Sequence, residues 1–388
     1  MKIQKTANVL ILSHGYRESY KAGGPPQDIC NFLLKRVVSI DYIVNPFPFA
    51  NFNRSFLLKF KDGKFVKKSL FGKVWGPEWL QYIQHFFITM FFILQNSRRY
   101  DICFALDDLS LVSILIFKKI GLIRKLVYYS IDYTPKRFKN PILNYLYHLM
   151  DRISCYNSDV NWVVAKQMIN ARKKNGVILK KCSPFFEVPI GFHQKEIKVP
   201  ALDKVDRFHL IFIGFLAKKQ GLQLAIRSLP KIISVFPKVH MTIIGTGDYE
   251  KNLKVMVKEL NLENKIKFKG FIENPREVER ILTIAGIGIA PYRPEPESFT
   301  YYADPGKIKL YLGCGLPIIT TKVPSISKKI DDKHAGIAIN YNEGDFLNAV
   351  RKIMATDNTF TFYKKAAIKF AAGYDIEKIL KRSIANTP

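Results

Sequence analysis

Between Pro291 and Thr321 the chain reads PYRPEPESFTYYADPGKIKLYLGCGLPIITT, which gathers the residue types that hold an anion. Arg293 and Lys307 are its cations, and Glu295, Glu297 and Asp304 its carboxylates. Asp304-Pro305 reads as a helix start, with the aspartate as N-cap and the proline in the first helical position. Gly306 and Lys307 then lie in the first turn, and Gly313 and Gly315 close the helix. A short apolar strand, Leu316 to Thr321, follows. Such a loop–helix–strand unit offers unpaired backbone N–H groups at the mouth of an α/β sheet, where anions bind. The helix dipole disfavours a cation at Lys307, and a bound phosphate would reverse that preference. The plain alternative is a solvated surface lysine.

The elements that must position these groups follow a βα rhythm along the whole chain. Asn8 to Ser13 is an apolar strand, His14 to Pro26 a glycine-rich loop, and Gln27 to Arg36 a helix. Gly23-Gly24 leave room for close backbone approach to a phosphate or sugar, or form an ordinary turn. Asp132 follows the strand Lys125 to Ser130, at the end where open α/β sheets place ligands. It faces the ligand or caps the turn before Pro135. The pattern restarts at Phe208 to Ile213, with Gly214 to Gly221 as its loop. Val239 to Ile244 runs into Gly245-Thr246-Gly247, and Ile266 to Phe268 into Gly270-Phe271.

At 388 residues the chain is too long for one core. It is 48% apolar and 24% charged, a globular composition. Five scattered cysteines without metal-type spacing predict reduced thiols in a cytoplasmic protein, and Val9 to Leu12 is too short for the apolar core of a signal peptide. The formal net charge of +29 suits nucleic acid or an anionic membrane. Neither zinc-finger spacing nor an RRM-type aromatic motif accompanies it, so nucleic acid is not expected as a partner.

Residues 52–79 interleave seven bases with seven aromatics, and Lys61-Asp62-Gly63-Lys64 reads as a hairpin turn. Tyr82 to Leu94 is intensely apolar but far short of the about 20 residues that span a bilayer. The expectation is a helix buried on both sides. Shallow insertion into a membrane surface is the alternative.

From Gly214 onward these motifs resemble, in order and spacing, family 4 retaining nucleotide-sugar glycosyltransferases. The resembling motifs are Gly214 to Gly221, Gly245-Thr246-Gly247, Gly270-Phe271 and Cys314-Gly-Leu-Pro317. The N-terminal third is similar only loosely. The resemblance implies an α/β protein of the GT-B class, two Rossmann-like domains facing across a cleft. The acceptor domain is expected at 1–190, a linker at 191–206 and the nucleotide-sugar domain at 207–370. A C-terminal helix at 371–388 is expected to pack back on the first domain. It further implies donor binding by Gly23, Gly24, Gly214, Gly245, Gly247, Phe271, Arg293, Glu297, Asp304, Gly306 and Lys307, with Asp132, Lys218 and Lys219 as catalytic residues.

The chain departs from the family at several positions. The family's loop arginine and lysine are replaced by Phe215 and Gln220, its sugar-contacting histidine by the Ser130-Ile131-Asp132 segment, and its two glutamates by Tyr302 and Leu310. Lys218 and Lys219, or Arg293 and Lys307, are the candidate replacements for the lost charge. Glu295, Glu297 and Asp304 are those for the lost carboxylates. The implied activity moves a sugar from a UDP- or GDP-linked donor to a glycan or lipid-linked acceptor with retention; the positive charge and residues 52–94 predict that it works at the inner face of the membrane. It needs no metal or other cofactor, since the leaving phosphate accepts the acceptor's proton. A non-catalytic nucleotide- or glycan-binding relative is the alternative.

Overall fold

The computed structural model describes residues 3–16, 24–96, 98–295 and 299–387. Two compact units emerge, Met1–Pro189 with Ile379–Pro388, and Ile190–Lys378.

The first unit runs β1 (Asn8–Gly15), α1 (Pro25–Leu33), β2 (Ser39–Pro46), β3 (Arg54–Lys61), β4 (Lys64–Lys73), α2 (Glu78–Asn96) and β5 (Tyr100–Ala105). It continues with α3 (Asp108–Val112), α4 (Leu115–Lys119), β6 (Ile123–Ser130), α5 (Pro141–Asn157), β7 (Val160–Val163), α6 (Gln167–Lys174) and β8 (Phe185–Glu187). Its sheet order is β4-β3-β2-β1-β5-β6-β7-β8. The β1 run NVLILS is buried because a parallel neighbour flanks it on each side and helices cover the faces. β3 and β4 form the expected hairpin, antiparallel to the rest. Asp62 and Gly63 at its tip have φ of 49° and 76°, the pair of positive values that two-residue hairpin turns favour. Arg172 and Asp151 form a buried ion pair at 2.7 Å, and Arg172 also donates to Ser130, which fixes the end of β6.

The second unit runs β9 (Asp206–Ile213), α7 (Leu222–Val235), β10 (His240–Ile244), α8 (Glu250–Glu259), β11 (Ile266–Gly270), α9 (Pro275–Thr283), β12 (Ala285–Ala290) and α10 (Gly306–Gly313). It continues with β13 (Ile318–Thr321), α11 (Ser327–Asp332), β14 (Gly336–Ile339), α12 (Glu343–Met354) and α13 (Asp357–Ala371). The sheet is parallel throughout, in the order β11-β10-β9-β12-β13-β14. The last helix, α14 (Ile376–Asn386), belongs to the first unit from Ile379 on. Trp162 Nε1 donates there to Thr387 Oγ1 at 3.1 Å.

The segment read as a linker makes contacts within the second unit: Glu196 pairs with Arg276 at 3.3 Å, and the Phe192 N–H donates to the Tyr374 carbonyl. The expectation of an apolar helix buried on both sides needs correction. The apolar helix α2 is buried on one side only. His85, Thr89, Phe92 and Ile93 face the core, while Ile83, Phe87, Phe91 and Leu94 are exposed. A helix packed on one face of a sheet covers only one of its own faces, so the second apolar face stays largely exposed.

Candidate active site

In the second unit β9 lies between β10 and β12, and the chain leaves it outward in both directions. This is the topological switch point, and ligands of open α/β sheets bind outside the carboxyl ends of the strands there. The loop after β9 and the segment after β12 meet at that point. Gly221 holds φ 77°, and a Cβ on it would lie 1.7 Å from the Pro291 carbonyl oxygen. The Arg293 N–H donates to the Lys219 carbonyl at 3.0 Å. Gly245 and Gly247 of the next loop press on the same loop. Their Cβ positions would lie 2.0 Å from the Gly214 oxygen and 2.4 Å from the Leu216 oxygen. Gly245 N–H also donates to the Gly270 carbonyl, which brings exposed Phe271 to the same edge.

Lys307 enters this place from the first turn of α10. Its Nζ donates to Gln220 Oε1 at 2.7 Å and lies 4.0 Å from the centroid of the Phe212 ring. A Cβ on Gly214 would be 3.0 Å from that Nζ. Among the described residues no carboxylate pairs with it, and burial pushes its pKa down to about 7. A desolvated cation with no counter-ion, among backbone loops freed by glycine, suits an incoming anion. The Arg293 side chain is held at 3.4 Å from Glu295, and Lys218 is exposed.

One expected donor residue, Asp304, does not sit as read. The N-cap of α10 is Pro305, not Asp304. Asp304 is buried, accepts from the Ile190 N–H at 2.8 Å, and is ion-paired with Lys309, which is also buried. Its carboxylate is consumed by packing because Lys309 points inward and needs a counter-charge. Glu297 and Gly23 lie outside the described residues. Gly306 begins α10 beside Ile190, and Gly24 precedes α1 with φ 153°.

The first unit has its own switch point, between β1 and β5, where the sequence reading named only glycines. His14 ends β1 and Asp107 follows β5. His14 Nδ1 donates to Asp107 Oδ2 at 2.9 Å. Asp107 also caps α3 through the Ser110 N–H at 2.7 Å. Burial would raise the Asp107 carboxyl, but His14 and the Ser110 hydrogen bonds hold it below its ordinary value. Among the described residues, buried His14 Nε2 has no hydrogen-bond partner, nor does either ring nitrogen of His85, whose ring centroid lies 5.2 Å away. Burial, then the neighbouring His14, pushes the His85 pKa down to about 3. Asp108 is pushed up to about 7 by burial, then by Asp107 and Asp151. The signal available was a histidine at one strand end and an aspartate just past another, which is legible only once the strands are known to be neighbours. Asp132 stands exposed at the end of β6, 3.4 Å from Arg137. Among the described residues no group of three or more His, Cys, Asp or Glu could hold a metal ion.

Residues 207–356 match the glycosyl transferases group 1 family model. WcaL of Escherichia coli, a glycosyltransferase named for colanic acid biosynthesis, is 21% identical over 198 residues, 50% of this chain and 47% of that protein. The alpha-monoglucosyldiacylglycerol synthase of Streptococcus pneumoniae is 24% identical over 141 residues, 36% of this chain and 30% of that one. The matched part thus spans less than half the length of either relative. Anabaena Alr3699/HepE, solved in complex with UDP, superimposes with a TM-score of 0.69 at 16% identity, covering 98% of this chain and 99% of that one. The two α/β units are the Rossmann-like pair of the GT-B fold, and the second of them carries the similarity to the glycosyl transferases group 1 model.

Proposed function

We propose that the chain is a family 4 retaining glycosyltransferase. It moves a hexose from a UDP- or GDP-linked donor to a glycan or lipid-linked acceptor in cell-envelope or exopolysaccharide synthesis. It works without a metal on the cytoplasmic side, at the membrane surface. The observation that carries this reading is Lys307, a half-buried ammonium with no counter-ion among the described residues, at the switch point of the second unit. It occupies the place of the cation missing at Gln220. A donor diphosphate set there meets Lys307, the loop N–H groups between Gly214 and Gly221, and the nearby Arg293, Lys218 and Lys219. These stabilise charge developing on the leaving phosphate. HepE binds UDP on the same fold, and the pneumococcal relative makes a glycolipid.

A melting screen against nucleotides and nucleotide sugars tests the reading. A ligand at a hundred times its Kd adds about 2.7 kcal/mol of stability. No shift with any UDP or GDP sugar at saturating concentration would count against it. If a donor binds but no transfer or hydrolysis follows, the chain is a binding relative. Its Leu310 and Phe215, where the family has a carboxylate and a cation, favour that outcome.

The His14–Asp107 pair favours a second reading, transfer with inversion. A histidine whose Nδ1 proton is held by a carboxylate presents Nε2 as a base for an acceptor hydroxyl. Retention needs no such base. The anomeric proton coupling of the first product, read by NMR before mutarotation, decides between them.

A further inference from the structure

We propose that the exposed face of α2, with the lysines of β4, is the surface that seats this protein on an anionic membrane. The proposal rests on the membrane-side reading above and assigns it to particular residues. Trp79, Ile83, Phe87 and Phe91 recur every four residues and are 52%, 45%, 62% and 54% exposed; Leu94 continues the line. Trp75 stands exposed just before the helix. The opposite side of α2 is anchored, with Phe92 and Ile93 in the core, Phe71 of β4 against Phe92, and Gln84 hydrogen-bonded to the Trp75 backbone at 3.1 Å. The stripe is therefore held outward on a fixed helix. A row of large apolar side chains of this length on a protein surface marks an interaction site.

Charge selects the occupant. Residues 51–96 hold seven Lys and Arg against two acids, Asp62 and Glu78. β4 is the edge strand of its sheet, with Lys64, Lys67, Lys68 and Lys73 exposed. Cross-strand pairing with Lys61 and Lys59 puts Lys64 and Lys67 on the same side as Phe71, which touches α2, while the register shift at Arg54 turns Lys73 to the other side. Lys59, paired across the ladder with Lys67, reaches Asn96 at the end of α2. The apolar stripe thus lies beside bases on one side of the sheet. A helix with Trp and Phe outward and bases alongside lies in the headgroup plane of an anionic bilayer. A second copy of the chain would set the same positive charges against each other. No helix among the described residues is long and apolar enough to cross a membrane, so the contact is superficial.

The test is co-sedimentation of the full chain with phosphatidylglycerol–phosphatidylcholine vesicles, and with phosphatidylcholine alone. Binding to the anionic vesicles is expected, weakened by salt, with a blue shift of tryptophan emission. Trp75 and Trp79 are the exposed tryptophans and Trp162 is buried, so the shift reports this face. Phe87→Ser with Phe91→Ser lowers the partition coefficient by about tenfold or more. Lys64→Glu with Lys67→Glu abolishes the preference for anionic lipid. Wild-type protein left in the supernatant, stripe variants that bind like wild type, or a lipid-free dimer that the stripe variants dissociate would each overturn the proposal. Nucleotide melting shifts on the same samples keep the two readings apart. A nucleotide shift without vesicle binding sinks only the docking face. Vesicle binding without any nucleotide shift sinks only the transferase.

Discussion

Lys307 Nζ donates to Gln220 Oε1 across 2.7 Å, and these residues are 87 apart in the chain. The neutral amide supports the ammonium without neutralising it. Burial therefore sets its pKa near 7 rather than the ordinary 10.5. In the free protein the unfolded state holds this proton more tightly, so Lys307 lowers stability fully below about pH 7. The penalty disappears as pH rises toward 10.5. Lys307→Met is expected to raise the melting temperature of the ligand-free protein at pH 6 and to change it little at pH 10.

A bound diphosphate raises the same pKa. Donor binding then takes up a proton near neutral pH, and affinity falls as pH rises above about 7. Calorimetry in buffers of different ionisation enthalpy measures the uptake. Lys307→Ala removes it and weakens binding by roughly ten- to a hundredfold, the range for a hydrogen bond to a charged group. Proton uptake undiminished in Lys307→Ala would remove the lysine from the donor site.

Gly221→Ala tests the junction of the β9 and β12 loops. The added methyl meets the Pro291 carbonyl in a left-handed backbone conformation. The expected cost is about 3 kcal/mol or more, read by chemical denaturation. A stability loss below about 1 kcal/mol would show that the loop moves freely away.

Asp304 and Lys309 are expected to act as a structural pair. Asp304→Ala leaves a buried ammonium alone and costs about 3–5 kcal/mol. Asp304→Leu with Lys309→Met recovers most of that stability. Nucleotide affinity of the double variant stays at the wild-type value. A tenfold loss there would return Asp304 to the donor site.

His14→Ala separates the two stereochemical readings. With retention, kcat falls less than about a hundredfold and its pH profile keeps its shape. With inversion, the loss is about a hundred- to ten-thousandfold. Asp107→Asn should follow His14→Ala in either case, since its carboxylate orients the ring.

Local signals in the sequence determined the βα rhythm, the glycine-rich loops after β9, β10 and β11, and the Asp62-Gly63 turn. Each rests on periodicity or backbone freedom within a few residues, so it is legible without a fold. The C-terminal motif order also determined the resemblance to glycosyltransferases. The helix at Asp304-Pro305 was legible too, but not the role of Asp304. An N-cap and a buried counter-ion look alike until Lys309 is known to point inward.

Only the tertiary structure decided which distant groups meet. His14 and Asp107 are 93 residues apart and become neighbours because β1 and β5 pair at a switch point. Lys307 comes within hydrogen-bond reach of Gln220 from 87 residues away, so an ammonium stands beside the position where the resemblance expected a lysine. In α2, apolar residues surround the helix, so their pattern could not say which side is covered. Packing against the sheet settles it, burying Phe92 and Ile93 and leaving Phe87 and Phe91 in solvent, because one sheet face can cover only one side of a helix.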